Sequence, residues 1–342
     1  MKIAVAGGSG YTGIELLRIL SLYKDLEINQ ISSRKYAGRK VKDLFPFVSG
    51  IYSDLIFQES IDIDSSDFFF LCLPHEPSVE LVKKIYDKGK KVIDLSAAYR
   101  IKEKEAYTVF YGFEHKYPEI LLKAVYGLPE IFREEIKKAL VVANPGCYPT
   151  ATLLGLYPAV KEKVVEGDII INAFSGISGA GRETKQQFHY PEAFGDSYAY
   201  KPLMHRHIPE MENVLRNISG FNIKLRFTPH IIPVSRGMIA TITFKTDLSK
   251  DQIEELYRLE YRYEPFIRFS NEPPHIKYVL GSNFCDIYVN KDERTGFAVV
   301  ITAIDNLGKG ASSQAVQNFN IMTGREESFN LLELSVSGIV YP

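Results

Sequence analysis

Three cysteines in 342 residues, odd in number and far apart, are no disulfide framework. Cys72, Cys147 and Cys285 point instead to a reducing compartment, the cytoplasm. They also lack the paired Cys/His spacing of a zinc site, so no metal is expected. Excess charge is missing too. The 41 Lys and Arg against 42 Asp and Glu leave a formal net charge of −1, which gives no reason to expect nucleic acid or a charged membrane surface as partner. No apolar run is long enough to span a bilayer. No signal peptide is expected, because the first strand starts at Lys2 and runs straight into a glycine loop. Internal repeats, low-complexity stretches and a linker are absent, so the domains should be intimately joined. At 45% hydrophobic residues, the length allows two domains, each with its own core.

The most informative stretch is Asn144-Pro145-Gly146-Cys147-Tyr148-Pro149-Thr150. Leu140 to Ala143 reads as a short buried strand, Asn144 to Gly146 as a turn, and Thr150 to Val160 as an apolar helix. A cysteine delivered to a helix start meets the positive dipole end and unsatisfied N–H groups, which favour thiolate over thiol. Most lone cysteines are small core residues. Here Pro-Gly before Cys147 and a proline two residues after it favour a tightly shaped, partly exposed turn. Cys72 and Cys285 sit within apolar strand patterns and read as core.

At the start of the chain, strand Lys2 to Ala6, loop Gly7-Gly8-Ser9-Gly10-Tyr11-Thr12-Gly13 and helix Ile14 to Leu22 form a G-x-x-G-x-x-G variant of the dinucleotide fingerprint. The three glycines serve the turn, the close approach of a pyrophosphate and the packing of helix on strand. The phosphates would lie on the N–H groups opening the helix. Candidate cofactor contacts are Gly7, Ser9, Gly10, Tyr11, Thr12 and Gly13. The next strand, Glu27 to Ile31, ends in Ser32-Ser33-Arg34-Lys35, where NAD enzymes usually carry an acid for the ribose 2′-hydroxyl. Two hydroxyls and two cations suit a 2′-phosphate instead, so Ser33 and Arg34 point to NADP(H).

Strands at Asp67 to Leu73, Lys91 to Leu95 and Leu140 to Ala143 alternate with helical segments such as Ser78 to Lys88, the rhythm of a Rossmann-type, doubly wound parallel sheet. The strand-end loops Leu73 to Pro77 and Ser96 to Arg100 become candidate cofactor or substrate loops. Arg100 could hold a phosphate, and a helix-capping or surface role is comparable. After Cys147 longer strands take over: Asp168 to Phe174, Ile223 to Val234, Gly237 to Thr246, and the hairpin Phe284 to Asn290 with Phe297 to Ile304. These predict an α+β second domain of mostly antiparallel sheet with helices at Pro209 to Asn217 and Ser249 to Tyr263. The helix Gly310 to Thr323 should return to the first domain. The expected division is 1–147 plus about 310–342 for the nucleotide domain and 148–309 for the catalytic and oligomerisation domain.

Two further segments carry chemistry. Ser175 to Arg182 is a second glycine-rich loop whose backbone could approach a planar ring, and Asn306 could meet a nicotinamide carboxamide. In His205-Arg206-His207-Ile208-Pro209-Glu210, Pro209 suits the first turn of a helix, which puts His207 at its mouth with Glu210 able to orient the ring. A thiol with an oriented histidine is an arrangement for covalent acyl chemistry. Which histidine moves the proton stays open.

These motifs together resemble the N-acetyl-γ-glutamyl-phosphate reductase family, relatives of aspartate-semialdehyde dehydrogenase. The likeness runs nearly end to end: GGSGYTGIELL from Gly7, VYGLPE from Val125, ANPGCYPTAT from Ala143, SGISGAGR from Ser175, HRHIPE from His205, FTPHIIPVSRG from Phe227, GSNFC from Gly281 and IDNLGKG from Ile304. The resemblance implies Cys147 as nucleophile and His205 or His207 as acid/base. It also implies Ser175, Gly176, Ser178, Gly179 and Asn306 near the nicotinamide, and Arg100, Asn144 and Arg236 at an acyl phosphate substrate, the two arginines meeting its anions. It further implies NADPH-dependent reduction in arginine biosynthesis by a homodimer or homotetramer.

The family usually has L-P-H-G where this chain has Glu76 after His75, and S-A-D-F-R where it has Ala98 and Tyr99 before Arg100. A reductase for carrier-protein-linked aminoadipyl or glutamyl phosphates of lysine biosynthesis is the nearest alternative, and Tyr148-Pro149 with the Ser175 to Arg182 loop disfavours it. A thiol hydrolase would not need the first glycine loop, and a non-catalytic NADP sensor would not need Cys147 with two histidines.

Overall fold

The structure, a computed structural model, describes residues 1–337. It divides into two units: Met1–Pro145 with Ala311–Leu331, and Gly146–Gly310 with the chain from Leu332 onward. Gly146 and Cys147, expected to close the first domain, therefore lie at the opening of the second, because Cys147 begins a helix that packs on the second unit's sheet. The tail expected in the first domain leaves it after Leu331, and residues 338–342 of it lie outside the described residues.

The first unit is built on seven parallel strands: β1 Lys2–Ala6, β2 Glu27–Ser32, β3 Phe57–Gln58, β4 Phe68–Leu71, β5 Lys91–Asp94, β6 Val125–Tyr126 and β7 Val141–Ala143. Their order is β3-β2-β1-β4-β5-β7-β6. Phe68 to Leu71 is buried along its whole length, as a strand covered on both faces must be. The order reverses between β1 and β4, which marks the ends of those strands as the ligand crevice. Helix Tyr11–Leu20 starts three residues earlier than its apolar pattern, and helix His75–Asp87 likewise, with Pro77 tolerated in the first turn.

Helix Ser313–Met322 is buried on every side although half its residues are polar. Its amide groups reach partners far away in sequence: Gln314 Nε2 and Asn318 Nδ2 both donate to the Gly127 carbonyl, and Asn320 Oδ1 accepts from Tyr23 Oη at 2.8 Å, while the Gln314 and Asn318 side-chain oxygens stay buried without a hydrogen bond. Phe319 packs edge-on against Phe68 with centroids 4.8 Å apart.

The second unit carries β8 Glu166–Gly176, β9 Tyr198–Ala199, β10 Leu225–Ile232, β11 Met238–Lys245, β12 Ile267–Phe269, β13 Cys285–Asp292 and β14 Phe297–Ile304, ordered β12-β13-β14-β11-β8-β10-β9. Most pairs are antiparallel. The pairs β8 with β10 and β12 with β13 run parallel. The first arises because the chain leaves β8 and returns through helix His207–Ser219, a crossover of the kind parallel strands require. One face of the sheet is buried under helix Cys147–Lys161, and Gly155 permits the close approach, since a Cβ there would lie 2.5 Å from Ile242 Cδ1. Tyr257 and Tyr261 donate to the Gly155 and Leu154 carbonyls, and Thr302 to that of Ala151, fastening the helix along its length. The alternate residues on the other face, among them Ile170, Phe174, Ile232, Ile239, Val299 and Ile301, are half-buried or exposed.

Candidate active site

At the β1 and β4 ends of the first unit lies a cleft of about 990 Å3 lined by Gly7, Ser9, Gly10, Ser32, Ser33 and Arg34, with Cys72 to Pro74 opposite. Gly7 turns the chain at φ +77°, and a Cβ there would strike the Cys72 carbonyl oxygen at 2.4 Å. A Cβ on Gly13 would meet Gly8 Cα at 2.6 Å, so the helix start packs flat on the loop, while Gly10 has open space before it. Ser9 and Ser33 hydroxyls are 2.8 Å apart. This cradle of backbone and hydroxyls fits a dinucleotide pyrophosphate at a helix N-terminus. Tyr11 and Thr12 are not in its wall; the Thr12 side chain bonds to the Cys72 thiol. Cys72, expected within the strand core, stands just past β4 on the cleft wall, half-buried, its thiol pushed up to about 12 by burial. The cleft also gathers Glu59 and Asp62, carboxylates that no local reading around Ser32 to Lys35 could place there.

Arg100 and Asn144 are buried in the same unit. Arg100 donates to the Asn144 carbonyl at 2.7 Å and the Leu95 carbonyl at 2.8 Å, which clips the end of β5 to the turn preceding Cys147. Asn144 donates to the Ala311 carbonyl at 2.9 Å and accepts from Asn318 at 3.1 Å. Where Asp94 is buried beside them, burial raises its pKa while Ser78, Ser96 and Arg100 oppose the rise. The Ala98 position is buried next to His115, whose pKa burial lowers to about 4.

In the second unit Cys147 is the first residue of its helix, with Gly146 as N-cap in extended conformation. Pro149 has no N–H and Thr150 N donates to the Gly146 carbonyl, so the amides opening the helix are those of Cys147 and Tyr148. A Cβ on Gly310 would lie 2.8 Å from Cys147 Cβ, which makes glycine a requirement of that flank. A cavity of about 40 Å3 brings Cys147 together with His205, Arg206 and His207, walled by Tyr148, Ser175, Gly179, Tyr200 and Ile231.

The histidines stand edge-to-face, centroids 4.7 Å apart, inside a ring of Tyr148, Tyr200 and Phe227. His205 Nδ1 accepts the His207 N–H at 3.2 Å, which assigns its proton to Nε2. Burial, with Arg206 and Lys201 adding repulsion, pushes the His205 pKa down to about 3. Tyr200 is pushed up to about 12 and Tyr148 up as well, both by burial first, and their hydroxyls are 3.4 Å apart. His207 begins helix His207–Ser219, and Glu210 in its first turn accepts the Gly146 N–H at 2.9 Å. A thiol at a helix start beside one neutral and one helix-mouth histidine is an arrangement equipped for acyl transfer with proton movement.

Ser175 and Gly179 reach the cavity, whereas Gly176, Ser178 and Asn306 form its support. Asn306 Oδ1 accepts the Gly237 N–H at 2.6 Å, and its Nδ2 donates to Ser178 Oγ at 3.0 Å. A Cβ on Gly176 would lie 2.8 Å from Arg236 N. Arg236, read as a substrate partner, donates through Nε to the buried Asp305 at 2.6 Å. Tyr200, Ile231 and Gly310 were missed in the sequence. Tyr200 lies in a stretch without periodicity, and the other two are brought in by strand pairing and by a turn far along the chain.

Comparison with known proteins gives consistent results over both units. Residues 2–139 match the family described as semialdehyde dehydrogenase, NAD binding domain, and residues 147–306 match semialdehyde dehydrogenase, dimerisation domain. An N-acetyl-gamma-glutamyl-phosphate reductase of Aquifex aeolicus is 52% identical over 98% of this chain and 98% of its own length. The protein of that description from Pelotomaculum thermopropionicum is 42% identical over 97% of each. Among solved structures, aspartate semialdehyde dehydrogenase II of Vibrio cholerae, complexed with ASA, superposes with TM-score 0.73 at 17% identity, covering 94% of this chain and 98% of that one. Aspartate semialdehyde dehydrogenase of Candida albicans with NADP gives 0.69 at 16%, covering 98% and 99%. At such identities these two speak for the fold alone.

Proposed function

The chain belongs to the N-acetyl-gamma-glutamyl-phosphate reductase family, and from that premise we propose that it reduces N-acetyl-γ-glutamyl phosphate to N-acetylglutamate semialdehyde and phosphate, a step of arginine biosynthesis, with NADPH. The observation that carries the reading is the cavity shared by Cys147, His205 and His207 at the start of two helices. Cys147 thiolate attacks the acyl carbonyl, the C–O bond to phosphate breaks, and the acyl group rests on sulfur as a thioester. The amides opening the helix hold the oxyanion. The nicotinamide, when bound, supplies the hydride that brings the thioester to the aldehyde level. His207 gives the proton to the resulting oxygen and takes it back as the C–S bond breaks, while His205, kept neutral, contacts substrate.

Gly7, Ser9 and Gly10 would hold the pyrophosphate, and Ser33 with Arg34 the 2′-phosphate of NADP(H). Tyr11, Thr12 and Gly13 contribute by shaping the helix start. Ser175 and Gly179 would face the nicotinamide, on a loop that Gly176, Ser178 and Asn306 brace. Arg100, Asn144 and Arg236 would act on the substrate through the loops they fasten. The half-buried apolar face of the second unit's sheet supports a homodimer or homotetramer, in keeping with the dimerisation-domain match. No helix among the described residues is long and apolar enough to cross a membrane, and we place the enzyme in the cytoplasm.

The deciding experiment runs the reaction in reverse: phosphate-dependent reduction of NADP with N-acetylglutamate semialdehyde against aspartate semialdehyde. Turnover with the first and at most traces with the second is expected. Preference for aspartate semialdehyde, or turnover without phosphate, would overturn the assignment.

A further inference from the structure

Gly146, the residue on which the nucleophile turns, is an N-cap with no side chain to close its own helix. Its N–H is taken by Glu210 Oε1, 64 residues on, at 2.9 Å. Glu210 is fully buried, and it stands in the first turn of the helix that His207 opens. One carboxylate thus bolts the starts of two helices together, one beginning with Cys147 and the other with His207. A hydrogen bond from a backbone amide to a carboxylate is about twice as strong as a neutral one. A misplacement of roughly 1 Å at reacting atoms costs on the order of 100-fold in rate. The charge itself works against the nucleophile, because a buried anion at this helix start opposes the thiolate that the dipole favours.

Resting on the reading that Cys147 attacks and His207 carries the proton, we infer that Glu210 is a positioning residue acting through the Gly146 N–H. Its reach holds the thiol in line with the cavity; its charge is dispensable.

Two variants separate reach from charge. Glu210→Gln keeps a side-chain oxygen that can accept the Gly146 N–H and loses the charge. Glu210→Asp keeps the charge and falls short of the amide. The intact enzyme is assayed for kcat, and Cys147 is alkylated with iodoacetamide across pH and followed by peptide mapping, a readout that needs no substrate. Glu210→Gln should stay within about threefold of the parent kcat, with the alkylation midpoint moved to lower pH. Glu210→Asp should lose roughly 10- to 100-fold in kcat. An active Asp variant beside an inactive Gln variant would overturn the inference in favour of a counter-charge to histidine. So would an alkylation midpoint that rises in the Gln variant, or two variants equal in kcat. Full turnover by a Cys147→Ser enzyme would instead defeat the underlying reading, whatever the Glu210 variants do.

Discussion

The backbone N–H of His207 donates to Nδ1 of His205 across 3.2 Å, so the first histidine spends its acceptor nitrogen holding the second at the helix mouth. A proton on His205 would break that bond as well as charge a buried ring, and its pKa is held down at about 3. His207→Asn should therefore remove the titrating step from the pH–rate profile and lower kcat, while His205→Asn should mainly raise KM. Steady-state kinetics between pH 5.5 and 9, as roughly the span of histidine titration, check it; the reverse pattern would exchange the two roles.

Cys147→Ser should bind NADPH with unchanged affinity in a fluorescence titration and lose turnover by roughly three orders of magnitude or more, since an alcohol at this helix start is far harder to ionise than a thiol. Substantial residual reductase activity would sink the thioester.

Arg34→Ala should weaken NADPH about tenfold and leave NADH nearly unchanged, because only the first offers a phosphate to the guanidinium. Equal losses would show that this loop does not read the phosphate.

Gly310→Ala places a methyl group 2.8 Å from Cys147 Cβ. Cys147 must shift by about a few tenths of an ångström, and if it is the proposed nucleophile kcat should fall about tenfold with a small change in Tm. A fully active Ala variant would show that the flank yields without moving the sulfur.

His115 is buried among Tyr99, Tyr107 and Phe113 with its pKa lowered to about 4. In the unfolded chain it titrates near 6.5, so below that pH the unfolded state binds a proton that the native state refuses. Stability is untouched by this group above about pH 6.5 and declines as pH falls toward 4, by about 3 kcal/mol over the window. Urea unfolding of His115→Phe should show a shallower acid decline than the parent; parallel curves would contradict the assignment.

Much of this was legible because the governing constraints are local. β1 falls where its apolar run ahead of the glycine loop puts it and β14 where its alternation does, and the glycine spacing marks a loop in which Gly7 takes a positive φ and Gly13 has no room for a Cβ. The apolar pattern sets in only after the first turn, so it places the helix starts at Thr150 and Pro209 where the helices begin at Cys147 and His207. What stayed hidden depends on partners distant in sequence. Nothing near Arg236 announces Asp305, nothing near Asn144 announces Asn318, and Tyr200 gains its place only because β9 pairs with β10. A motif names the residue types at a site; it does not say whether an arginine will meet an anion or a carbonyl.

Helix Ser313–Met322 belongs to the first unit although it is synthesised after nearly all of the second. Until it emerges, the Gly127 carbonyl, the Tyr23 hydroxyl and the aromatic surface of Phe68 lack the partners it supplies. The contiguous stretch Gly146–Gly310 is available to fold first, so on the ribosome the order of completion inverts the order of the sequence. A chain cut at Gly310 would keep every residue lining the cavity around Cys147 and still be left with a first unit missing this buried helix.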